Sequence, residues 1–409
     1  AERSRERVDR TALDALLREA SRSEDLRWLF RWRIDRSKED SEKIALLKEW
    51  AGLEEEVFSN PAGAINVYKE LVKVSPKDGA ALYALSRLLM AAGDHETAKA
   101  IVERDRDLRD GKERAQREVE LAKLSAGPLH APKDALNAAL RALEIVPGDP
   151  GAIEVLEQLL PVGETRASAA TKLEEYYRER GNLDRQIEVL GVMIGAAASR
   201  ADRVPLYVRL AEVRERQGNA AAAFEVMSRA AMEYPSELDL WDRLAVLANR
   251  ARKTHAFVDV IRNVVPPVGE SGVPVEVELD LAERAATLHD EMLGEPDKAA
   301  PYLDRILNRD PTNDRAFFRL KQILTSRARW SELEGLYERV LAATSDGPKR
   351  ADLLADIALV AEEITHDGPK AIAYYERILD IEPSHEIAVR ALDSLYADHG
   401  RWAELAKLI

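Results

Sequence analysis

The seven histidines of this chain could hold a metal ion, but their spacing argues against a metal site. No two histidines stand four residues apart, so the pair that binds zinc from one helical face is missing. The nearest approach is His289-Asp290-Glu291-Met292, which lacks the second histidine. Cysteine is absent, which excludes disulfides, thiol catalysis and zinc bound by cysteine. We therefore expect neither a metal site nor a cofactor.

The sequence also lacks the motifs of nucleophilic and phosphate chemistry. The run Gly269-Glu270-Ser271-Gly272 misses the spacing of a nucleophile elbow, because Val273 stands where glycine is required. No cluster of glycines makes a phosphate-binding loop. Carboxylates occur in pairs along the whole chain, which is typical of solvated helix faces. No pair stands out as an acid and base couple, so the sequence predicts a non-catalytic protein.

The composition indicates a folded chain that does not favour nucleic acid. Of its 409 residues, 46% are hydrophobic and 33% are charged, which is typical of a globular protein. The net charge of −14 disfavours general binding to a phosphate backbone. The longest apolar stretch, residues 189–198, is too short to span a bilayer. We expect no nucleic-acid partner and no transmembrane segment.

The start of the chain carries no secretory signal, since residues 1–5 are mostly charged. We interpret this as favouring the cytoplasm. The first residue is not methionine, so a processed or truncated start stays open. A periplasmic or envelope location stays open as well, if a signal has been removed, because a chain without cysteine tolerates both compartments.

A spaced pair of alanine and proline recurs five times and indicates a stacked repeat. In each pair the alanine stands twelve residues before the proline. The pairs are Ala64/Pro76, Ala135/Pro147, Ala223/Pro235, Ala299/Pro311 and Ala371/Pro383. The intervals between successive prolines are 71, 88, 76 and 72 residues. The 88-residue interval predicts one extra helix.

The unit is clearest around Gly218. Tyr207 and Ala211 lie four residues apart and share one helical face. Gly218 then ends this helix, because glycine adopts the left-handed backbone at a helix end without strain. Asn219 is a good cap for a second helix, and Pro235 ends that helix because it cannot continue it. The unit is therefore a helix hairpin.

This pattern resembles the 34-residue tetratricopeptide repeat, whose second helix carries alanine, an aromatic residue and alanine before a proline. The matching residues in this unit are Tyr207, Leu210, Ala211, Ala223, Ala230 and Pro235. Four further units share the register, namely 45–78, 116–149, 280–313 and 352–385. Less regular units alternate with them, namely 79–115, 238–279, 314–351 and 386–409. The resemblance implies an all-α solenoid of stacked antiparallel helix hairpins, wound as a right-handed superhelix.

The domain organisation follows from the places where the pattern fails. Residues 1–44 show helical periodicity at Leu13, Leu16 and Leu17 and at Leu26, Leu29 and Phe30, and are predicted to be a helical cap or a degenerate repeat. Repeats are predicted over 45–165 and 204–409, the last one incomplete. An irregular or inserted helical pair is predicted over 166–203. Because the last repeat is incomplete, we expect that the chain is a piece of a longer array, or that its ordered part ends near residue 409.

The resemblance also implies a concave groove lined by the first helices, at positions 5 and 9 of each unit. Our candidate partner-binding residues there are Tyr83, Arg87, Arg284, Phe318 and Arg390. The family's receptors for chaperone tails hold a peptide carboxylate with Lys and Asn, and neither occurs at these positions. We therefore expect no carboxylate clamp. The groove positions are mixed apolar and charged, which suits an amphipathic helix or an extended peptide with positive charges as the partner.

Trp28 and Trp32 stand four residues apart among several arginines and admit three interpretations. They are the buried face of a capping helix, a docking surface for a partner, or a platform that stacks on RNA bases. Trp330 and Trp402 each start a second helix, and we expect both to pack between adjacent hairpins.

The leading functional hypothesis is a non-catalytic scaffold that holds protein partners in a larger bacterial assembly. An alternative is RNA processing, because Tyr337-Glu338-Arg339 and Tyr375-Glu376-Arg377 are similar to signatures of the half-tetratricopeptide repeats of RNA-processing factors. A second alternative is a regulatory arm of an enzyme whose catalytic domain lies outside this chain.

Overall fold

A computed structural model describes residues 22–408 of the chain. Most of its helices pair into hairpins. No β-strand occurs within that range. The chain divides into two compact units, unit 1 up to Leu206 and unit 2 from Tyr207. The predicted all-α fold of stacked antiparallel hairpins is confirmed. The predicted periodicity at Leu13, Leu16 and Leu17 lies outside the described residues.

Ten helices belong to the described part of unit 1, and an eleventh runs across the boundary between the units. They are α1 (Ser23–Arg36), α2 (Asp40–Gly52), α3 (Pro61–Val74), α4 (Gly79–Ala91), α5 (His95–Asp107), α6 (Gly111–Ala126), α7 (Pro132–Ile145), α8 (Pro150–Leu159), α9 (Arg166–Glu179), α10 (Leu183–Ala196) and α11 (Arg200–Arg216). The hairpins are α2/α3, α4/α5, α6/α7 and α9/α10. In every hairpin we call the first helix A and the second helix B.

The rest of unit 2 continues with the same alternation of A and B helices. They are α12 (Ala220–Glu233), α13 (Leu238–Arg250), α14 (Thr254–Val264), α15 (Val275–Thr287), α16 (Pro296–Arg309), α17 (Asp314–Ser326), α18 (Trp330–Ala343), α19 (Gly347–Leu359), α20 (Gly368–Ile381), α21 (Glu386–Asp398) and α22 (Trp402–Leu408). The hairpins here are α11/α12, α13/α14, α15/α16, α17/α18, α19/α20 and α21/α22.

Local chemistry sets the ends of these helices. The Asn219 side chain accepts a hydrogen bond from the backbone N–H of Ala222 at 2.9 Å and so caps α12, as predicted. Gly218 stands before it with φ of 80°, a left-handed backbone that glycine adopts without strain. The same pairing recurs at Gly93 and Asp94, where φ of Gly93 is 81° and Asp94 caps α5.

The five alanines of the repeat lie where the B helix meets its neighbours. Ala64, Ala135, Ala223, Ala299 and Ala371 are each 0% exposed. A methyl group is the largest side chain that leaves two helix backbones this close, because protein interiors are packed to the density of organic crystals. The alanines whose spacing indicated a stacked repeat are therefore fully buried positions of the B helices.

Three A helices end in a π turn at the same position of the repeat. The turns are Leu53–Val57 after α2, Leu288–Met292 after α15 and Val360–Ile364 after α19. Each turn is closed by backbone hydrogen bonds of longer span than those of an α-helix, such as Phe58 N–H to Leu53 C=O at 2.9 Å. In the second turn His289 is buried, its Nδ1 lying 3.0 Å from Glu295 and its ring stacked on Tyr302.

The long interval between prolines corresponds to α8, a helix with no hairpin partner of its own. α8 packs against α6, α7 and α9. The chain then turns through residues 160–165, where the buried Thr165 hydroxyl donates to the Leu159 carbonyl at 3.2 Å. α9 starts at Arg166, where the sequence predicted a new helix.

α1 is attached to the first hairpin through a buried carboxylate. Arg27 donates from Nε and Nη2 to the two oxygens of Glu54, at 2.7 and 2.9 Å. The indole of Trp50 and the amide of Asn60 donate to the same carboxylate at 2.9 and 2.8 Å. Burial opposes ionisation of Glu54, but these donors outweigh it and lower its pKa. Phe30 stacks on Trp50 beside this network, with ring centroids 6.3 Å apart.

Leucine in place of Ala371 tests the close helix packing. Three added carbons at a fully buried site overpack it, and we expect a loss of about 2 kcal/mol in the free energy of unfolding. Ala373→Leu on the exposed side of the same helix is the matched control, with an expected change within about 0.5 kcal/mol. Urea unfolding followed by circular dichroism measures both. Equal effects of the two substitutions would contradict the packing.

Replacing Glu54 with glutamine tests the attachment of α1. The change leaves Arg27 with the exposed Glu24 of its own helix as its carboxylate partner, so α1 loses its charged link to the hairpin, and we expect it to lose about 2 kcal/mol of protection, measured by native-state hydrogen exchange over 23–36. The exposed Glu56→Gln is the control.

The pH dependence of the Glu54→Gln effect has a definite sign. A lowered carboxyl pKa contributes stability that is complete above the unfolded value of about 4.3 and is lost as pH falls through the folded pKa. The difference between wild type and Glu54→Gln should therefore be constant from pH 7 to about pH 5 and shrink below about pH 4. A difference that grows on acidification would refute the assignment.

Candidate functional site

Ion pairs join consecutive A helices of unit 2 and form what we call the ion-pair ladder. In each rung a side chain of one A helix meets the opposite charge on the next A helix. The rungs are Arg250–Glu215 at 2.5 Å, Arg284–Asp242 at 2.7 Å, Arg315–Glu283 at 2.8 Å and Lys321–Asp356 at 2.5 Å. The ladder therefore pairs the charges of Asp242, Arg284 and Asp356 within the chain.

Arg284, a predicted binding residue, is part of this ladder. Its guanidinium lies 2.7 Å from Asp242 and 2.6 Å from Asp280, and only a quarter of the side chain is exposed. Burial would lower the pKa of Arg284, but the hydrogen bonds to both carboxylates outweigh it and raise the pKa. Arg284 is thus held in place by its own chain, with little charge left for a ligand.

Three apolar side chains stand exposed among these paired charges. Phe318 on α17 is 57% exposed, while its neighbour Phe317 packs edge-on against Tyr337. Val246 on α13 and Leu359 on α19 are also about half exposed. We define the A-helix face as Asp242, Val246, Arg284, Phe318, Asp356 and Leu359. An apolar contact is the interaction that this face has left to offer, because its charges are paired.

The remaining predicted residues are placed differently. Arg390 on α21 is exposed, and its nearest carboxylate is Glu386 on the same helix at 3.6 Å. In unit 1, Tyr83 and Arg87 lie one turn apart on α4. The guanidinium of Arg117 lies 4.8 Å from the ring centroid of Tyr83, and Arg87 is paired with Glu55.

The tryptophan pair of α1 faces outward at Trp28. That side chain is 63% exposed, and its ring stacks on Trp32 with centroids 6.3 Å apart. Arg36 lies over Trp32 at 4.3 Å. Leu26, Leu29 and Phe30 fill the buried face of the helix instead. The expectation that α1 buries its tryptophans is therefore wrong for Trp28, since the aliphatic residues and Phe30 occupy the inner face.

The second helices bear a shallow pocket of about 200 Å³ between α18 and α20. Trp330 lines it, together with Glu334, Lys370 and Tyr374. The two oxygens of Glu334 accept hydrogen bonds from Tyr374 at 2.9 Å and from Lys370 at 2.8 Å. These polar groups satisfy one another. The indole of Trp402 is 64% exposed, so the expectation that it packs between hairpins is wrong for this residue.

Two further observations bear on the class of site. Within residues 22–408, no group of three or more histidine, aspartate or glutamate side chains is arranged to hold a metal ion. Across the described helices, none combines the length and the apolar character needed to cross a membrane.

Two kinds of exposed apolar residue were not among the binding residues predicted from the sequence. Leu359 lies one position outside the buried stripe of α19, which includes Leu354 and Ala358. That offset from the stripe is a signal that the sequence contains. The aliphatic residues of the π turns gave no such signal, because regular helical periodicity places them in the core.

Comparisons with known proteins identify the repeat. Two family models, each described as a tetratricopeptide repeat, match residues 59–117 and 316–351. The second match coincides with the α17/α18 hairpin, which carries Phe318. No curated protein matches the chain at a significant level.

Several solved structures are similar to the chain at low sequence identity. The Naa15/Naa10 complex bound to HypK-THB is 14% identical, with 90% of this chain covering 62% of that chain at a TM-score of 0.24. The tetratricopeptide domain of P58(IPK) is 13% identical, with coverage of 87% and 97% and a TM-score of 0.25. The C-terminal part of a repeat protein from Cytophaga hutchinsonii is 13% identical, with coverage of 64% and 98% and a TM-score of 0.26.

The family matches and the hairpins agree in register. Helix A, a tight turn, helix B with its buried alanine, and a proline follow one another in both compact units. The chain therefore contains tetratricopeptide repeats, which the family models match over residues 59–117 and 316–351.

Proposed function

We propose that this protein is a non-catalytic scaffold that holds a segment of a protein partner on the A-helix face of unit 2, within a larger assembly. Tetratricopeptide repeats imply a protein–protein interaction scaffold, and the family is generally non-catalytic. The observation that carries the finer proposal is the exposure of Phe318, Val246 and Leu359 on three A helices whose charged neighbours are already paired.

Apolar anchors supply the affinity in this proposal. Covering the remaining exposed surface of these half-buried side chains is worth about 1 kcal/mol for each of them, since full burial is worth about 2 kcal/mol. Aromatic anchors ringed by polar groups are typical of the residues that dominate interfaces. Phe318 has such a ring, since Lys321 and Asp356 are paired nearby on α17 and α19.

The ion-pair ladder gives the face its selectivity. A partner that brings an unpaired charge onto a rung would have to break an existing pair or bury its own charge without a partner, and both are costly. The preferred segment therefore presents apolar side chains to Val246, Phe318 and Leu359 and keeps its charges at the rim. Binding of this kind depends weakly on salt, whereas contacts to RNA phosphates weaken steeply as salt rises.

A photocrosslinking amino acid at position 318 of the full chain tests the proposal. We expect adducts to a protein at 318, and none from the same amino acid at the exposed position 373 of α20. With that partner in hand, Phe318→Ala should lower affinity about tenfold and Val246→Ala about threefold in fluorescence anisotropy, because each removes an apolar anchor that is half exposed in the free chain.

The matched control is Met232→Ala, which truncates an exposed apolar residue on the B helix α12 and should leave affinity unchanged. We also expect affinity to change less than threefold between about 50 and 500 mM salt. Crosslinks to RNA, or a steep loss of affinity with salt, would discard the apolar-anchor proposal in favour of the RNA alternative.

A further inference from the structure

The three π turns expose aliphatic residues that helical periodicity would bury. Each of these residues lies seven positions after a buried residue of its A helix. The pairs are Trp50 and Val57, Ala285 and Met292, and Ile357 and Ile364. Seven residues make almost two turns of an α-helix, so both members of a pair would share the inner face of an uninterrupted helix. Yet the second member is exposed in all three cases.

The π turn moves these residues off the inner face of the A helix, at its last turn, where the equivalent residues Ala91, Arg250 and Ser326 of hairpins without a π turn are exposed as well. It widens one turn by a residue, which rotates everything after it by about 100° around the helix axis. The exposed fractions of the three aliphatic side chains are 64% for Val57, 56% for Met292 and 50% for Ile364. At each of the three π turns, a side chain that regular helical periodicity would bury is therefore exposed to solvent.

Two acidic residues precede each exposed aliphatic residue, and they have different tasks. The first acid contacts the chain itself: Glu55 pairs with Arg87, Asp290 with Arg319 at 3.3 Å, and Glu362 accepts from the Tyr375 hydroxyl at 2.9 Å. These contacts hold the turn against a neighbouring helix. The second acid follows immediately and is exposed.

The second acid is available to a partner. These residues are Glu56, Glu291 and Glu363. Of the three, Glu291 has a cation near it, Arg319 at 3.8 Å, which Asp290 already holds more closely. Within the described residues no cation lies at ion-pair distance from Glu56 or Glu363. A glutamate and an aliphatic side chain therefore stand side by side in solvent at each turn.

Hairpins without a π turn lack this pair. The two equivalent positions hold Met90 and Ala91 in α4, Asn249 and Arg250 in α13, and Thr325 and Ser326 in α17. A π turn and an exposed pair of glutamate and aliphatic residue thus occur together at the same position in three repeats. π turns are also frequent at functional sites.

We propose that the π turns are docking elements for a basic amphipathic helix of a protein partner. Its lysine or arginine side chains pair with the exposed glutamates, and its aliphatic side chains cover Val57, Met292 or Ile364. Charge complementarity selects this occupant, since each turn is acidic and the whole chain carries a net charge of −14. These docking elements share no residue with the A-helix face and do not depend on its proposed role.

A fluorescein-labelled synthetic helix of leucine and lysine, titrated with the full chain, tests the docking elements by anisotropy. We expect Glu56→Lys/Glu291→Lys/Glu363→Lys to lower its affinity at least tenfold. Val57→Ser/Met292→Ser/Ile364→Ser should do the same without changing net charge. A labelled helix of leucine and glutamate should not bind, and circular dichroism verifies that each variant is folded.

The matched control reverses three exposed acids near the ends of B helices, Glu144→Lys/Asp380→Lys/Glu382→Lys. It changes net charge by the same amount, and we expect affinity to stay within twofold of wild type. If this control weakened binding as much as the turn variant, attraction would come from overall charge and the proposal would fail. Lack of any binding to the wild-type chain, or full binding by the serine variant, would overturn it as well.

Discussion

The close approach of two helices within each hairpin is the constraint on which the rest of the structure depends. A hairpin of about 34 residues cannot bury its apolar face alone, so its stability comes from its own two helices and from the next hairpin. The fully buried alanines set the separation of those helices. Everything on the A helices, including the ladder and the exposed apolar residues, takes its position from this packing.

Buried carboxylates add orientation to that packing. Glu118 of α6 accepts both arms of Arg141 of α7 at 2.9 Å each, and Glu278 of α15 accepts from Arg305 and Arg309 of α16. Burial opposes ionisation of Glu278, yet the two arginines outweigh it and lower its pKa. Such pairs add little net stability compared with apolar residues of the same volume. Their physical effect is to penalise any other alignment of helix A on helix B, because a shifted helix would leave a charge buried without a partner.

The hairpins could be predicted from the sequence, but only part of the surface could. Alanine, proline, glycine and asparagine positions predicted the helices and their ends, because those signals are local to a turn or a helix end. Partners in the ion-pair ladder, such as Asp242 for Arg284, lie about 40 residues apart and depend on how neighbouring A helices align. The π turns escaped prediction because one widened turn rotates the residues after it by about 100°, away from the face that regular helical periodicity assigns to them. The roles of Tyr83, Arg87, Arg284, Phe318, Arg390, Trp28 and Trp32 in binding stay predictions.

In the proposed function, the paired charges and the exposed apolar groups of the A-helix face affect partner binding in different ways. The opposite charges of a rung such as Arg284–Asp242 leave almost no net charge for a ligand. An exposed ion pair of this kind adds less than about 1 kcal/mol to the free energy of unfolding. Its influence on binding is therefore exclusion, since a misplaced charge on the partner meets an occupied site. Attraction has to come from the apolar side chains between the rungs. In the proposed function, such a scaffold would discriminate by the spacing of apolar anchors along the partner, and the hairpin repeat sets that spacing.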